Sequence, residues 1–289
     1  NLEGVLLDCG KPFKQCSNPA HCYLFRTPGR FVEQLKQAGF NVMSLANNHA
    51  RDFGEEGRSS SMELLATAGI HHSGRDGDIA SWEVKGKKIA LIAFAPFAGA
   101  NSMHALELMQ ERVTELDLSH DIVMVSFHGG AEGAGVEHLP FAKEFYHGED
   151  RGDVVEFARL AVEAGADLVL GHGPHVPRAL ELYNERLIAY SLGNFATYWG
   201  INVRGANGLA PILIAELGPD GRFLGGKVES ARQLRPAGPV PDDTHTAARV
   251  IRELTQADFP ETPLIIDERG NISVATPSLL SGAPPQVIP

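Results

Sequence analysis

The sequence predicts an α/β protein whose sheets are covered by helices, and three observations predict it. The runs at 88–95 (KIALIAFA) and 121–127 (DIVMVSF) are almost continuously apolar, the mark of strands buried on both faces. Amphipathic patterns alternate with them: in 151–164, Val154, Val155, Phe157, Ala158 and Ala161 recur at helical spacing and Gly165 follows as a stop. The 289 residues are 43% hydrophobic and 21% charged, a globular composition, and a chain of this length buries roughly 75% of its unfolded surface.

The elements then follow in order. A helix is expected over 29–38, with Phe31, Val32 and Leu35 on one face and Gly39 as its C-cap. A short buried strand is expected at 41–46, broken by Asn47-Asn48-His49. A second helix runs 59–68, with Met62, Leu65 and Ala66 inward and Gly69 closing it. The strand at 88–95 comes after the turn Lys85-Gly86-Lys87. A helix over 105–116 leads to the strand at 121–127, and the helix 151–164 leads to a strand at 167–170. Strands at 187–191 and 211–217 come next, and close spacing up to Ser230 suggests antiparallel pairing and hence a mixed sheet. Pro236, Pro239 and Pro241 read as a linker, followed by a helix over 246–256 and a tail rich in Gly and Pro. The domain expectation is 1–234 for the main unit and 235–289 for linker, helix and C-terminal appendage.

Charge and composition exclude several functions. There are 25 Lys+Arg against 36 Asp+Glu, a net charge of −11, which argues against a general nucleic-acid binder. No apolar stretch approaches the ~20 residues of a transmembrane helix. The sequence opens at Asn1 with neither an initiator Met nor a signal-peptide pattern, as if a segment upstream had been removed. Cys9, Cys16 and Cys22 lack the paired CxxC of a structural zinc site. Two of them could form a disulfide in an oxidising compartment, leaving one free; three reduced thiols in a loop fit the spacing as well.

Histidine carries the chemistry. Of the 12 histidines, several fall in polar clusters placed where ligand sites gather in α/β sheets, after apolar strands. These clusters are Asn1-Leu2-Glu3, Asn47-Asn48-His49 with Asp52, His128 with Glu132, and His172-Gly173-Pro174-His175. Imidazole nitrogen with carboxylate or amide oxygen is a donor set for divalent transition metals. Together the clusters suffice for a two-metal site that activates water against phosphate esters. Asn48 offers an amide oxygen, and His49 held by Asp52 could protonate a leaving oxygen. His138 and His147, in the long stretch 137–150 beside His128, read as surface residues of a lid or recognition loop.

These motifs come in a familiar order. Asn1-Leu2-Glu3, Leu45-Ala46-Asn47-Asn48-His49 with Asp52 and Gly54, and His128-Gly129-Gly130-Ala131-Glu132 are followed by Gly171-His172-Gly173-Pro174-His175-Val176 with Glu181, then Tyr190-Ser191-Leu192-Gly193-Asn194-Phe195. Over about residues 1–217 the chain resembles the CapA/PgsA family, bacterial capsule and poly-γ-glutamate biosynthesis proteins with a calcineurin-like metallophosphatase fold. The resemblance implies a four-layer α-β-β-α sandwich with mixed sheets. It also implies two divalent metal ions (Mn, Fe or Zn) held by Glu3, Asn48, His128, His172 and His175, with His49 as proton donor and Asp52 orienting it. Asn47, Glu132 and Asn194 are expected to bind substrate.

The sequence departs from the family pattern in three places. It opens after the position where the family has a strand ending in Gly-Asp, whose Asp is a ligand. Gly129 stands where Trp is usual, and Gly173 where a further His is usual. The function implied is a metal-dependent hydrolase, acting as a phosphoesterase on a phosphorylated small molecule or on polymer. A non-catalytic component of polymer synthesis or export, binding polymer or membrane synthase subunits, is the alternative, and amide hydrolysis of the polymer a further one. The resemblance favours an extracytoplasmic location, periplasmic or at the cell surface.

Overall fold

The apolar run at 88–95 becomes the strand Lys87–Ala95, which pairs in parallel with Ile122–His128. A computed structural model describes residues 1–15 and 22–275. Ile122–His128 in turn lies parallel to Leu168–His172, and Leu168–His172 parallel to Arg186–Ala189. Antiparallel strands close both edges, Ile79–Val84 on one side and Leu180–Tyr183 on the other. With Asn101–Ser102 alongside Lys87–Ala95, the result is a mixed seven-stranded sheet.

Both faces of this sheet are covered, which is why its strands lack polar alternation. Val123, Val125 and Phe127 join Met109, Val113 and Leu116 of the helix Leu106–Asp117, and Phe157, Ala158 and Ala161 of the helix Val154–Glu163, in one buried cluster. Met124, Leu168 and Leu170 face the other way, against Leu213, Ala215 and Val228 of a second sheet. Burying a side chain such as Phe157 stabilises by about 1.5–3 kcal/mol, and neighbours on both sides make that term available to every central strand.

The second sheet is antiparallel and five-stranded. Leu209–Leu217 pairs with Phe223–Leu234, which pairs with Gly238–Pro241 and with Asn271–Val274, and Leu264–Ile266 pairs with the last. The mixed α/β layering matches the expected fold class. The linker expected at Pro236, Pro239 and Pro241 is instead a turn holding Pro236 and an edge strand holding Pro239 and Pro241, a position that tolerates the missing prolyl N–H. Ala248 and Ile251 of the helix Thr246–Asp258, with Leu264, Ile266 and Ile272, share a core with Leu168, Leu180 and Leu187.

Smaller differences have local causes. The helix expected from Ser59 starts at Gly54, its first turn carrying Glu55 and Glu56, where acidic groups favour the helix N-terminus; Ala68 rather than Ala66 faces the core. The helix expected from Arg151 starts at Val154 because Asp153 caps it, accepting from the amides of Val155 and Glu156. Arg151 belongs to the strand Glu149–Gly152, half of a hairpin with Glu144–Tyr146 that occupies the long 137–150 stretch. The 29–38 segment opens as a 3-10 turn, Gly29–Phe31, before the helix Val32–Gln37, and Phe31 is exposed. Cys22 is disulfide-bonded and Cys9 is a free exposed thiol; Cys16 and the tail beyond 275 lie outside the described residues.

Candidate functional site

The central sheet brings two histidines to one edge. His128 ends its strand, His172 ends the neighbouring one, and the two are register partners. Residues paired in parallel strands project to the same side, so their imidazoles leave the sheet together. The chain beyond each strand is held by backbone contact: Gly129 N–H donates to the His172 carbonyl at 2.9 Å. A Cβ at Gly173 would lie 2.6 Å from the Gly129 carbonyl oxygen, and one at Gly129 would lie 2.8 Å from Met103 and 2.9 Å from the Arg151 carbonyl. The two departures from the family pattern, Gly129 and Gly173, each sit where a side chain has no room, Gly173 against the Gly129 backbone and Gly129 against Met103 and Arg151.

His175 is placed by its backbone and by an amide. Its φ is 60°, the left-handed region that non-glycine residues visit rarely. Asn194 holds it there: its Oδ1 accepts from His175 Nδ1 at 2.8 Å, and its Nδ2 donates to the carbonyls of His175, Asn202 and Asn207. Asn207 donates to the same His175 carbonyl. With Nδ1 engaged, His175 turns Nε2 toward two carboxylates, 3.5 Å from Glu3 Oε1 and 3.7 Å from Glu132 Oε2.

The Asn47-Asn48-His49 turn supplies the opposite wall. Asn47 Oδ1 accepts from the His49 amide at 3.0 Å, an Asx turn, while its Nδ2 donates to Asn1 Oδ1 and to the Leu2 carbonyl. His49 Nδ1 donates to Asp52 Oδ2 at 2.7 Å, and that oxygen also accepts from the Phe25 amide at 2.7 Å. Asp52 is fully buried, with Lys14 Nζ 3.6 Å from its other oxygen. The Phe25 ring lies on the His49 ring, centroids 4.1 Å apart, and His49 Nε2 faces Glu3 Oε1 at 3.9 Å.

Glu132 approaches from the third side. Arg151, almost wholly buried, donates from Nη1 to Glu132 Oε1 at 2.6 Å and from Nη2 to Glu149 at 2.9 Å, and its guanidinium lies over the rings of Phe97 and Tyr146. One Glu132 oxygen is thus spent on Arg151 and the other is left facing His175.

Electrostatics keep the sheet-end histidines neutral. Burial, reinforced by His175, His172 and Arg151, lowers His128 well below the usual 6.5. Burial does the same to His172. Both therefore stay unprotonated at neutral pH, the form that ligation requires. Among the described residues nine buried side-chain nitrogen or oxygen atoms lack a hydrogen-bond partner, and three of them are Glu3 Oε1, Asn48 Oδ1 and His128 Nε2. Asn1 Nδ2 makes only a long contact of 3.4 Å to the other nitrogen of His128.

The structure gathers Glu3, His49, Asp52, Glu132 and His175 through these contacts and sets His128 and His172 side by side at the sheet edge. Asn47 and Asn194, expected to bind substrate, have their amide atoms in hydrogen bonds within the protein, to the Asn1–Leu2 segment and His49 and to His175. Sequence reasoning missed Arg151, Asn207 and Phe25. The Asp153-x-x-Glu156 capping pattern was the available signal for Arg151, since it moves the helix start past that residue. Asn207 and Phe25 reach the site only through tertiary contact.

Comparison with known proteins follows the same residues. The profile of the family described as bacterial capsule synthesis protein PGA_cap matches residues 1–198, which include every site residue from Glu3 to Asn194. The PGA biosynthesis protein CapA of Bacillus subtilis (strain 168) is 30% identical over 263 residues, covering 85% of this chain and 64% of that protein. The capsule biosynthesis protein CapA of Bacillus anthracis is 27% identical over 211 residues, covering 66% of this chain and 47% of that protein. The chain thus spans between about half and two thirds of the length of these relatives. A solved structure of a candidate 5'-nucleotidase from Staphylococcus aureus, in complex with alpha-ketoglutarate, superposes with a TM-score of 0.44 at 15% identity, over 78% of this chain and 44% of that one. A likeness of that size carries no argument about chemistry. On the profile match over residues 1–198, this chain belongs to the bacterial capsule synthesis protein PGA_cap family.

Proposed function

We propose that the chain is a metal-dependent hydrolase of the phosphoesterase type that serves capsule or poly-γ-glutamate biosynthesis. One observation carries the reading: Glu3 Oε1, Asn48 Oδ1 and His128 Nε2 are buried without partners around a His–carboxylate dyad. Leaving such an atom unpaired costs about 1–3 kcal/mol, and concentrating that cost where His175 also turns Nε2 inward is what an ion-binding centre requires. Amide oxygen, carboxylate and neutral imidazole suit Mn, Fe or Zn, so the donor chemistry fits. Among the described residues no three His, Cys, Asp or Glu side chains are grouped closely enough to hold an ion as they stand. The proposed set therefore relies on Asn48 and on closure of Glu3, His128, His172 and His175. One or two bound cations would supply a more acidic water and a Lewis acid for the phosphoryl oxygen.

The chain's own residues have separate tasks in this reading. His49 protonates the leaving oxygen from Nε2, the nitrogen not committed to Asp52. Asp52 fixes the ring orientation, and Phe25 shields that ring from water. Asn194 and Asn207 hold His175 in its left-handed backbone conformation. Arg151 restrains Glu132 so that one oxygen faces the centre. The disulfide at Cys22 supports an oxidising, extracytoplasmic setting.

The test combines metal analysis with turnover. Purified protein should retain or take up Mn, Fe or Zn and hydrolyse an aryl phosphate, and a His128→Ala, His175→Ala double variant should lose both. A folded protein that takes up none of these metals and turns over no phosphate ester sinks the proposal. Cleavage of γ-glutamyl amide bonds in place of phosphate esters would move it to amide hydrolysis. Synthase binding unaffected by the double variant, with no turnover, would make the fold a scaffold.

A further inference from the structure

Tyrosine and tryptophan are sparse in this chain, and more than half of them lie on segments beside the candidate site. Three of the five tyrosines and one of the two tryptophans lie there: Tyr23, Tyr146, Tyr198 and Trp199. Tyr198 and Trp199 are 77% and 75% exposed, and Tyr23 is 51% exposed. Solvating large rings at this level has no structural benefit, and exposed apolar patches beside a cleft mark binding surfaces.

The loop bearing Tyr198 and Trp199 is tied to the site at several points. It leaves Asn194, the residue that holds His175, and Asn194 Nδ2 donates back to the Asn202 carbonyl at its far end. Thr197 N–H donates to Gln233 at 2.7 Å. Gly200 lies against Phe25: a Cβ there would be 2.6 Å from the Phe25 ring, and that ring covers His49. Arg235 lies over the Trp199 ring at 5.2 Å and donates to the Ile201 carbonyl. Tyr146 is tied to the site through Arg151, which donates to Glu132 and lies over the Tyr146 ring at 5.3 Å; burial and then the Glu132 carboxylate raise the Tyr146 phenol above its ordinary value, with Tyr23 adding to the effect.

The charge of this rim selects among ligands. Glu3, Glu132 and Glu149 supply carboxylates, which accept from hydroxyl groups. The nearby cations are engaged, Arg151 with Glu132 and Glu149, and Arg235 with a backbone carbonyl and Trp199. A carboxylate-rich polymer would set its own carboxylates against those of this rim. A neutral, hydroxyl-rich ring would meet ring faces for its C–H surface and carboxylates for its hydroxyls.

We propose that Tyr23, Tyr146, Tyr198 and Trp199 form a subsite for the pyranose ring of a sugar phosphate ester whose phosphoryl group is presented to the His49–His175 centre. The proposal rests on the phosphoesterase reading for its orientation, so its test reads binding rather than turnover. Calorimetric titration of the protein with glucose 1-phosphate and with glycerol phosphate, which carries the same charge without a ring, should show the sugar ester bound roughly tenfold tighter, a difference of about 1.4 kcal/mol. Trp199→Ala and Tyr198→Ala should remove that advantage while leaving glycerol phosphate unchanged, and Trp199→Phe should restore most of it. The proposal is overturned by equal binding of the two esters, or by an advantage that survives both alanine variants. It is also overturned if adenosine 5'-monophosphate or a γ-glutamate oligomer depends on Trp199 more than the sugar ester does. A ring-dependent advantage without hydrolysis of either ester would sustain the subsite and remove the hydrolase reading alone.

Discussion

Two groups of polar residues in this molecule carry buried polar atoms and differ in how the hydrogen bonds of those atoms are completed. Arg178 is fully buried, and both terminal nitrogens donate to Glu144, at 2.8 and 2.7 Å, while Nε donates to the Val136 carbonyl. Glu144 also accepts from the Ala131 amide. In the second group, Glu3, Asn48 and His128 each keep a buried atom with no partner. Complete pairing makes the first group a strut that fixes the 129–152 segment beside the site. Incomplete pairing in the second is a standing cost that a bound ion, ligand or water would remove.

The largest expected effect comes from breaking the strut. Glu144→Ala leaves the Arg178 guanidinium buried and unpaired, and removing one partner of a buried pair costs about 3–5 kcal/mol. Urea denaturation should show a stability lower by that amount, read as a lower midpoint at unchanged slope, and a loss below about 1 kcal/mol would show that Arg178 is not the strut described.

Ligand binding should sharpen the same contrast in the opposite direction. A cation bound to the unpaired group stabilises the fold by about 2.7 kcal/mol at a hundred times its Kd, so Mn or Zn should raise the melting temperature of the protein. In His128→Ala, with one donor gone, the rise should be much smaller at the same metal concentration. An equal rise in both proteins would place the ion elsewhere.

Asp242 tests the paired class away from the site. Burial alone would raise its carboxyl, but the side chains and amides of Thr244 and Thr246 outweigh that and hold it at about 2, against an ordinary 3.8. A lowered folded value contributes stability that is fully present above 3.8 and is lost as pH falls toward about 2. Asp242→Ala should cost about 1 kcal/mol near neutrality, as loss of a helix-start acceptor does. It should also flatten the dependence of stability on pH across that acidic window. A variant as acid-sensitive as the parent would show that the carboxylate contributes nothing there.

How much of this was legible in the sequence follows from the range of each interaction. The strands 87–95 and 122–128 were visible because burial on both faces leaves an unbroken apolar run, and the helix 154–163 because its periodicity is local. The residues Glu3, Asn48, His49, His128, His172 and His175 stood out as motif members. The roles of Asn47 and Asn194 did not, since what their amides bond to is decided by segments up to 46 residues away. Pro239 and Pro241 resemble a linker until the partner strand Phe223–Leu234 is known. Gly129 and Gly173 read as losses from a motif, and only the packing shows that neither position has room for a side chain.

The smallest expected effect is the most direct test of the comparison. If the Asn48 amide oxygen is unpaired in the folded protein, replacing it removes a polar atom that water solvates better in the unfolded chain. Asn48→Ala should then leave stability within about 0.5 kcal/mol of the parent, or raise it, where a paired buried group would cost more. The same variant should lose most of the melting-temperature rise that metal produces, because the oxygen it removes is a proposed ligand. The two measurements bear on different halves of the contrast. A stability loss above about 1.5 kcal/mol without metal would mean that Asn48 is scaffold after all. An undiminished metal response would leave it an unpaired atom with no part in ion binding.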